Sequence, residues 1–217
     1  MKISPFVSMG FLSAVALATS NSGFTYERLD KNDAVLLVVG IQEGLYQLVS
    51  DFDPTVYRQQ AIAHASLAEL FSLPVVMTTS ADTGPNGPLF REMREMHPNT
   101  TMVQRMGEVN AWDNKGFQEA VRATNKSQVI LGGILTDVCT TFLALSLREA
   151  GFSAGVHTMS TAALLGELMR DWRGNPGYKE IFPWLDKHVP LNAHLARAHG
   201  YAVINGTVAP GQDEMLG

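Results

Sequence analysis

Residues Gln128–Gly151 read QVILGGILTDVCTTFLALSLREAG, and this stretch decides the fold. A short apolar run, Val129–Leu131, is followed by two glycines, and apolar residues with helical spacing begin at Val138. This pattern predicts a strand buried on both faces, a tight turn and a helix. Cys139, the single cysteine of the chain, would then lie in the first turn of the helix, at the carboxyl end of the strand.

Cys139 has two interpretations. A thiol at the start of a helix is near the positive end of the helix dipole, which stabilises the nucleophilic thiolate. A lone cysteine also commonly serves as a small buried apolar side chain. The strand, turn and helix around Cys139 favour the nucleophile more than a lone cysteine would, so the two interpretations have about equal support.

Further apolar runs predict more strands of the same sheet. Ala34–Val39 reads AVLLVV, Leu73–Thr79 reads LPVVMTT, and a third strand is expected at Thr101–Gln104. Helical segments separate the strands, and Asp53 followed by proline is a typical start for the first of them. The alternation predicts an α/β fold: a three-layer, doubly wound, mostly parallel sheet with helices on both faces. Ligands of such sheets bind outside the carboxyl ends of the strands.

Length and composition fit one enzyme-sized domain. The chain has 217 residues, of which 46% are hydrophobic, and a formal net charge of −5 without a run of basic residues. These values give no electrostatic reason to expect nucleic acid or an anionic membrane as a partner, so small molecules or proteins are the expected partners, and a small-molecule substrate is predicted. The six histidines are scattered without ligand spacing, and neither a metal nor another cofactor is predicted.

The first residues resemble a secretory signal peptide. Lys2 precedes a mostly apolar run, Phe6–Ala18, which ends in alternating small residues where a signal peptidase would cut. Residues 1–18 are therefore predicted to be a signal peptide, with secretion as the expected location and the cytoplasm as the alternative. The remaining chain is divided into a domain at 24–200 and a loosely patterned tail at 201–217.

Four motifs carry a family resemblance. The sequence GGILTDVC (132–139) is similar to the cysteine motif of the isochorismatase-like hydrolases. TTSADTGPNGP (78–88), GEVNAWDN (107–114) and MRDWR (169–173) resemble a subgroup of small amidohydrolase-like proteins of bacteria and fungi. The similarity runs from Phe24 over nearly all of the chain. It implies a parallel sheet flanked by helices and assembly into a homo-oligomer.

The resemblance also implies a catalytic set of aspartate, lysine and cysteine. Cys139 would be the nucleophile, and Arg105 falls where the family has its lysine, as a cation that cannot act as a base. An arginine in a surface ion pair is the alternative for Arg105. The family has a cis peptide bond, here between Ile134 and Leu135, that turns the N–H groups of Leu135 and Cys139 into an oxyanion hole. Such a bond costs about 3–4 kcal/mol.

Five residues are predicted to line the substrate pocket because they match the motifs or follow predicted strands. For Trp112, packing on the core is an equally good explanation. The five are Gln42, Ser80, Thr83, Trp112 and Thr136.

Two features depart from the family. Gly40 occupies the position of the catalytic aspartate, and glycine cannot accept or return a proton. One strand-and-helix unit is also missing after Ala154, so the sheet should be one unit shorter than in the family. We expect Gly155–Met159 to form a strand that takes the vacant place beside the strand of Cys139.

Two functions follow from these observations. The first is a hydrolase that attacks a small amide or related acyl compound through Cys139, with water or Glu43 as a proton carrier and weak activity because of Gly40. The second is a catalytically inactive relative that serves as a ligand-binding or interaction protein, and secretion is compatible with it.

Overall fold

A computed structural model of the protein describes residues 27–152 and 158–206. The predicted signal peptide and most of the predicted tail lie outside these residues. The described chain forms four parallel strands: β1 (Ala34–Val39), β2 (Val75–Ser80), β3 (Thr101–Arg105) and β4 (Gln128–Gly133). Their order in the sheet is β3-β2-β1-β4. The three strands predicted before Cys139, and the strand that leads to it, are confirmed.

Seven α-helices accompany the strands in the described residues. They are α1 (Pro54–Phe71), α2 (Arg91–Met96), α3 (Lys115–Ala123), α4 (Thr141–Glu149), α5 (Thr161–Met169), α6 (Tyr178–His188) and α7 (Pro190–Ile204). Asp53 caps α1 as predicted, because its carboxylate accepts a hydrogen bond from the N–H of Val56 at 3.0 Å. Since α7 continues to Ile204, the first residues of the predicted tail are helical.

The helices form a layer on each face of the sheet. All six residues of β1 are buried, and their side chains alternate between two cores. Leu36 and Val38 pack with α1, α2, α5 and α6, whereas Val35 and Leu37 pack with α3 and α4. This arrangement confirms the three-layer α/β fold.

Strand β4 lies at an edge of the described sheet. It pairs in parallel with β1 from Ala34–Gln128 to Val39–Gly133, and no other described strand pairs with it. Val129 and Leu131 are half-buried, although the sequence predicted a strand buried on both faces. The missing unit explains the difference, since nothing in the described residues replaces the strand that would cover this edge.

The strand predicted at Gly155–Met159 can be assessed only in part. Residues 155–157 lie outside the described residues, and Thr158 and Met159 are not in a strand. The described residues therefore leave the β4 edge without the predicted neighbour. None of the helices in 27–152 and 158–206 combines the length and apolar character that crossing a bilayer requires.

Candidate active site

The predicted site residues meet at one edge of the sheet because all four strands are parallel. Gly40 and Gln42 follow β1, Ser80 ends β2, and Arg105 ends β3. The turn that contains Cys139 follows β4. The carboxyl ends of parallel strands share an edge, so this part of the candidate site is a direct consequence of the topology.

Cys139 lies in a π-helical turn, Thr136–Thr140, immediately before α4. Its side chain is buried, with 8% of the residue exposed. The Sγ atom is 3.6 Å from the carbonyl oxygen of Leu135, to which the thiol donates. The N–H groups of Val138 and Thr140 donate to the same oxygen. The sequence placed Cys139 in the first turn of the α-helix, and the structure places it just before that turn.

The predicted cis bond between Ile134 and Leu135 is wrong. In the described residues the cis peptide bond is Asn175–Pro176, so the bond between Ile134 and Leu135 is trans. A cis bond between residues other than proline persists only where surrounding structure holds it. The cis bond was the reason for assigning the Leu135 N–H to an oxyanion hole, and that reason no longer holds.

Arg105 is buried, and its side chain reaches across the edge of β2. The residue is 2% exposed, and its Nε donates to Thr78 Oγ1 at 3.0 Å. A second guanidinium nitrogen donates to the carbonyl oxygen of Glu108. The pKa of Arg105 is lowered because the side chain is buried, and the charge of Cys139 opposes part of this effect. Arg105 is therefore a buried cation at the same carboxyl edge of the sheet as the thiol, although β3 and β4 are opposite edges of the sheet.

Gly40 has a left-handed backbone conformation with φ of +64°. An ideal Cβ at this position would lie 3.8 Å from Gln42 Oε1 and 3.9 Å from Leu45 Cδ1, which are ordinary contact distances. A side chain would thus fit, and the cost would come from the backbone. Asp and Asn tolerate this conformation better than other non-glycine residues.

Glu43, the acid closest to Gly40 in sequence, is engaged elsewhere. Its carboxylate lies 3.3 Å from Arg58, which also pairs with Glu92 at 2.9 Å. The guanidinium of Arg58 stacks 4.1 Å over the ring of Phe90. This network attaches Glu43 to α1 and α2, so it is a weak candidate for proton transfer at Cys139.

Gln42 and Ser80 hold two loops together. Gln42 is fully buried, and its Oε1 accepts from the N–H of Ser80 at 2.8 Å. Its Nε2 donates to the carbonyl oxygens of Ser80 and Gly87 at 3.1 and 2.5 Å. Thr83, in the same loop, is exposed. The structure thus gives Gln42 a complete set of protein partners.

Trp112 packs against aromatic neighbours. Its ring lies edge-on to Phe117 and Phe152, with centroid distances of 6.5 and 5.7 Å. Arg122 lies over the same ring at 5.3 Å. These contacts match the core interpretation of Trp112. Of the five predicted pocket residues, Thr136 is the one that borders the large cavity described next.

A cavity of about 590 Å³ runs along the edge of β4 with which no described strand pairs, and we name it the β4-edge cavity. It is bounded by β4 (Gln128–Gly133) and by residues of α1, α4 and α5. Tyr57 of α1 and Thr140 both line it, and Thr140 belongs to the turn Thr136–Thr140, which we name the cysteine turn. No sequence motif marks Tyr57.

The described residues contain no group of three or more His, Cys, Asp or Glu side chains that could hold a metal ion. Fold and site together define a doubly wound α/β protein with a buried thiol and a buried arginine at the carboxyl edge of its sheet.

Comparison with known proteins agrees with this class. The isochorismatase domain family matches residues 34–168. The probable hydrolase YcaC of Escherichia coli is 39% identical over 200 residues, covering 80% of this chain and 95% of that protein. The chain therefore belongs to the isochorismatase family of hydrolases. The alignment is 200 positions long, but 80% of the 217 residues of this chain fill fewer positions than that. YcaC therefore has residues in the alignment that this chain lacks, as expected from a missing unit.

Two solved structures are similar over most of the chain. YcaC from Pseudomonas aeruginosa, solved with hexane-2,5-diol and covalent acrylamide, is 40% identical with a TM-score of 0.78. The match covers 82% of this chain and 99% of the Pseudomonas aeruginosa chain. The YcaC gene product from Escherichia coli, described as an octameric hydrolase of unknown specificity, is 37% identical with the same TM-score. It covers 82% of this chain and 98% of its own.

Proposed function

We propose that the protein hydrolyses a small amide or related acyl compound, slowly, with Cys139 as the nucleophile. The observation that carries the proposal is that the buried Arg105 and the buried Cys139 both lie at the carboxyl edge of the parallel sheet. A cation in this place favours the thiolate. The Pseudomonas aeruginosa YcaC bound covalently to acrylamide adds support, because acrylamide is a small amide whose double bond accepts thiolates.

The reaction would proceed in two steps. The thiolate attacks the carbonyl carbon, and the carbon–nitrogen bond then breaks as the leaving amine takes a proton from water. Water next attacks the thioester, which releases the carboxylic acid and returns the thiol. Arg105 would stabilise the thiolate and then the negative charge on the tetrahedral intermediates. The Cys139 N–H, near the start of α4, would be a further donor to that charge.

Gly40 makes the activity weak in this proposal. A positioned acid–base group typically contributes about 10²–10⁴-fold in rate, and Gly40 supplies none. Glu43 pairs with Arg58, so water is the better candidate for proton transfer. Turnover is therefore expected to be far below that of an enzyme with a complete catalytic set.

The test is to restore the acid. Gly40→Asp is expected to raise turnover of a panel of small amides at least tenfold, whereas Gly40→Asn has the same shape and backbone cost without the carboxylate and should not. Cys139→Ala should abolish turnover in both the wild-type and the Gly40→Asp protein. Turnover that survives Cys139→Ala would contradict the nucleophile assignment.

A catalytically inactive relative that binds a ligand or partner is the second candidate. Gly40 and the open β4 edge favour it, because both departures affect the side of the sheet that carries Cys139. This candidate predicts no amide turnover in the wild-type or the Gly40→Asp protein. A folded Gly40→Asp protein without turnover would therefore replace the hydrolase proposal with this one.

We also propose that the protein is a homo-oligomer and that it is secreted. The octameric Escherichia coli YcaC, 37% identical, supports the first, and the apolar run after Lys2 supports the second. Size-exclusion chromatography with light scattering would give the number of subunits, and a monomer would contradict the homo-oligomer. Secretion predicts mature protein in the culture medium that lacks residues 1–18, and full-length protein confined to cells would contradict it.

A further inference from the structure

Two N-glycosylation sequons, asparagine followed at the second position by serine or threonine, lie within the described residues. They are residues 99–101 (NTT) and 125–127 (NKS), and a third, which begins at Asn205, ends outside the described residues. In secreted proteins the motif marks surface loops whose asparagine receives an oligosaccharide. Because so short a motif also arises by chance, its structural setting decides whether it can carry a glycan.

Asn99 lies in the turn between α2 and β3. The N–H of Thr100 donates to the carbonyl oxygen of His97 at 3.2 Å, which places Pro98 and Asn99 at the two central positions of the turn. Asn99 and Thr101 are both exposed. A sugar on the Asn99 side chain would therefore extend into solvent.

Asn125 lies in the loop between α3 and β4, and it is also exposed. Its backbone is left-handed with φ of +53°, a conformation that asparagine adopts more readily than most other residues. The hydroxyl of Ser127, which the transferase must recognise, donates to the carboxylate of Asp33 in the folded protein. A glycan on Asn125 must therefore be attached before the chain folds.

The side-chain amides of both asparagines are available for a glycan. Within residues 27–152 and 158–206, neither Asn99 nor Asn125 uses its side chain in a hydrogen bond. By contrast, Asn86, Asn110 and Asn114 each donate through Nδ2 to another residue, and none of these three belongs to a sequon. Replacing one Nδ2 hydrogen by a sugar would thus break no hydrogen bond at the two sequons.

Both sequons lie at the amino edge of the sheet, since Asn99 precedes β3 and Asn125 precedes β4. Cys139 and Arg105 lie at the opposite, carboxyl edge. These strands have five and six residues, which at about 3.3 Å per residue separate the two edges by about 16–20 Å. Glycans at these positions would leave the candidate active site open.

We propose that Asn99 and Asn125 carry N-linked glycans, attached by an oligosaccharyltransferase as the chain enters a eukaryotic secretory route. The Nδ2 atom of each asparagine attacks C1 of the first sugar of a lipid-linked oligosaccharide diphosphate. The C1–N bond forms, the C1–O bond to the diphosphate breaks, the lipid diphosphate leaves, and Nδ2 loses one proton. The inference rests on the proposed secretion and adds two modification sites on the side of the sheet away from Cys139.

The test uses full-length protein produced in yeast and treated with peptide N-glycosidase F, which converts a glycan-bearing asparagine to aspartate. Peptide mass spectrometry should find this conversion at Asn99 and Asn125, and untreated protein controls for spontaneous deamidation. Ser127→Ala should abolish the conversion at Asn125, whereas Ser127→Thr should retain it. Thr101→Ala and Thr101→Ser are the same pair for Asn99. All four variants keep the acceptor asparagine, so a loss is due to the hydroxyl.

A second chain, in which a yeast signal peptide replaces residues 1–18, separates this inference from the proposed secretion. Glycans on this chain but not on the native chain would overturn secretion and retain both acceptor sites. Secreted protein in which either asparagine is not converted would overturn that site, and so would conversion that persists in Ser127→Ala or Thr101→Ala. Enzymatic removal of the glycans should leave the rate of iodoacetamide addition to Cys139 unchanged. A changed rate would contradict their place opposite the candidate active site.

Discussion

The hydroxyl oxygen of Thr140 lies in the space that a side chain on Gly133 would need. An ideal Cβ on Gly133 would overlap Thr140 Oγ1 and would also lie 3.3 Å from the carbonyl oxygen of Val39. Gly133 ends β4 and Thr140 ends the cysteine turn, so their contact sets how closely that turn packs against the sheet. The position of Cys139 thus depends on a glycine six residues earlier.

Gly133→Ala is therefore expected to displace the cysteine turn. The added methyl group must displace the Thr140 side chain and presses on the carbonyl oxygen of Val39, at a cost of about 1–3 kcal/mol in the free energy of unfolding. Alkylation of Cys139 should change rate at the same time, because the thiol moves relative to Arg105. Urea unfolding and the rate of iodoacetamide addition are the measurements. Gly107→Ala is the control, since no atom lies within 4 Å of its added Cβ; equal effects from both substitutions would contradict the argument.

Gln42→Leu tests whether Gln42 serves the structure rather than the substrate. The substitution removes three hydrogen bonds and leaves the buried N–H of Ser80 and the carbonyl oxygen of Gly87 without this partner. We expect a loss of about 2–4 kcal/mol in the free energy of unfolding, measured in urea. Gln47→Leu, at an exposed position, should change stability by less than about 0.5 kcal/mol. Unchanged stability in Gln42→Leu would restore Gln42 as a substrate-pocket candidate.

Local sequence patterns were sufficient for most of the fold. The continuous apolar run of β1 predicted a central strand, and Asp53 followed by proline predicted the start of α1. The edge position of β4 was not predicted, because a strand's apolar content does not show whether a neighbour covers it. Motif and register predicted that Cys139 and Arg105 lie at the carboxyl edge of the sheet, and the structure places them there. The cavity that Tyr57 lines was not predicted, because it is formed by segments far apart in sequence.

Stability should depend on pH through His188. Burial, and to a lesser extent Lys187, lowers the pKa of His188 to about 4. Its Nε2 lies 3.3 Å from Ser66 Oγ, and Trp184 Nε1 also donates to that oxygen at 2.7 Å. Below pH 6.5, the ordinary pKa of about 6.5 for histidine, His188 is protonated in the unfolded chain but stays neutral in the folded protein. The free energy of unfolding is therefore expected to fall by up to about 3 kcal/mol between pH 6.5 and pH 4.

Urea unfolding at several pH values checks this expectation. His188→Gln should flatten the profile between pH 6.5 and pH 4, apart from the contribution of buried His64, which has the same sign. His194→Gln, at an exposed position of α7, should leave the profile as in the wild-type protein. A wild-type profile that is flat over this range would show that neither buried histidine resists protonation.

The central proposal is that Arg105 assists Cys139 as the nucleophile, and the most direct measurement is the rate of iodoacetamide addition at pH 7. Cys139 is the single thiol of the chain, so the label reports on it alone. Arg105→Met is expected to lower the rate at least tenfold relative to the wild-type protein, and Arg105→Lys, which keeps a positive charge, should lower it less. Circular dichroism must show that each variant is folded. Equal rates in the wild-type and Arg105→Met proteins, or a folded wild-type protein whose thiol does not react, would contradict the account.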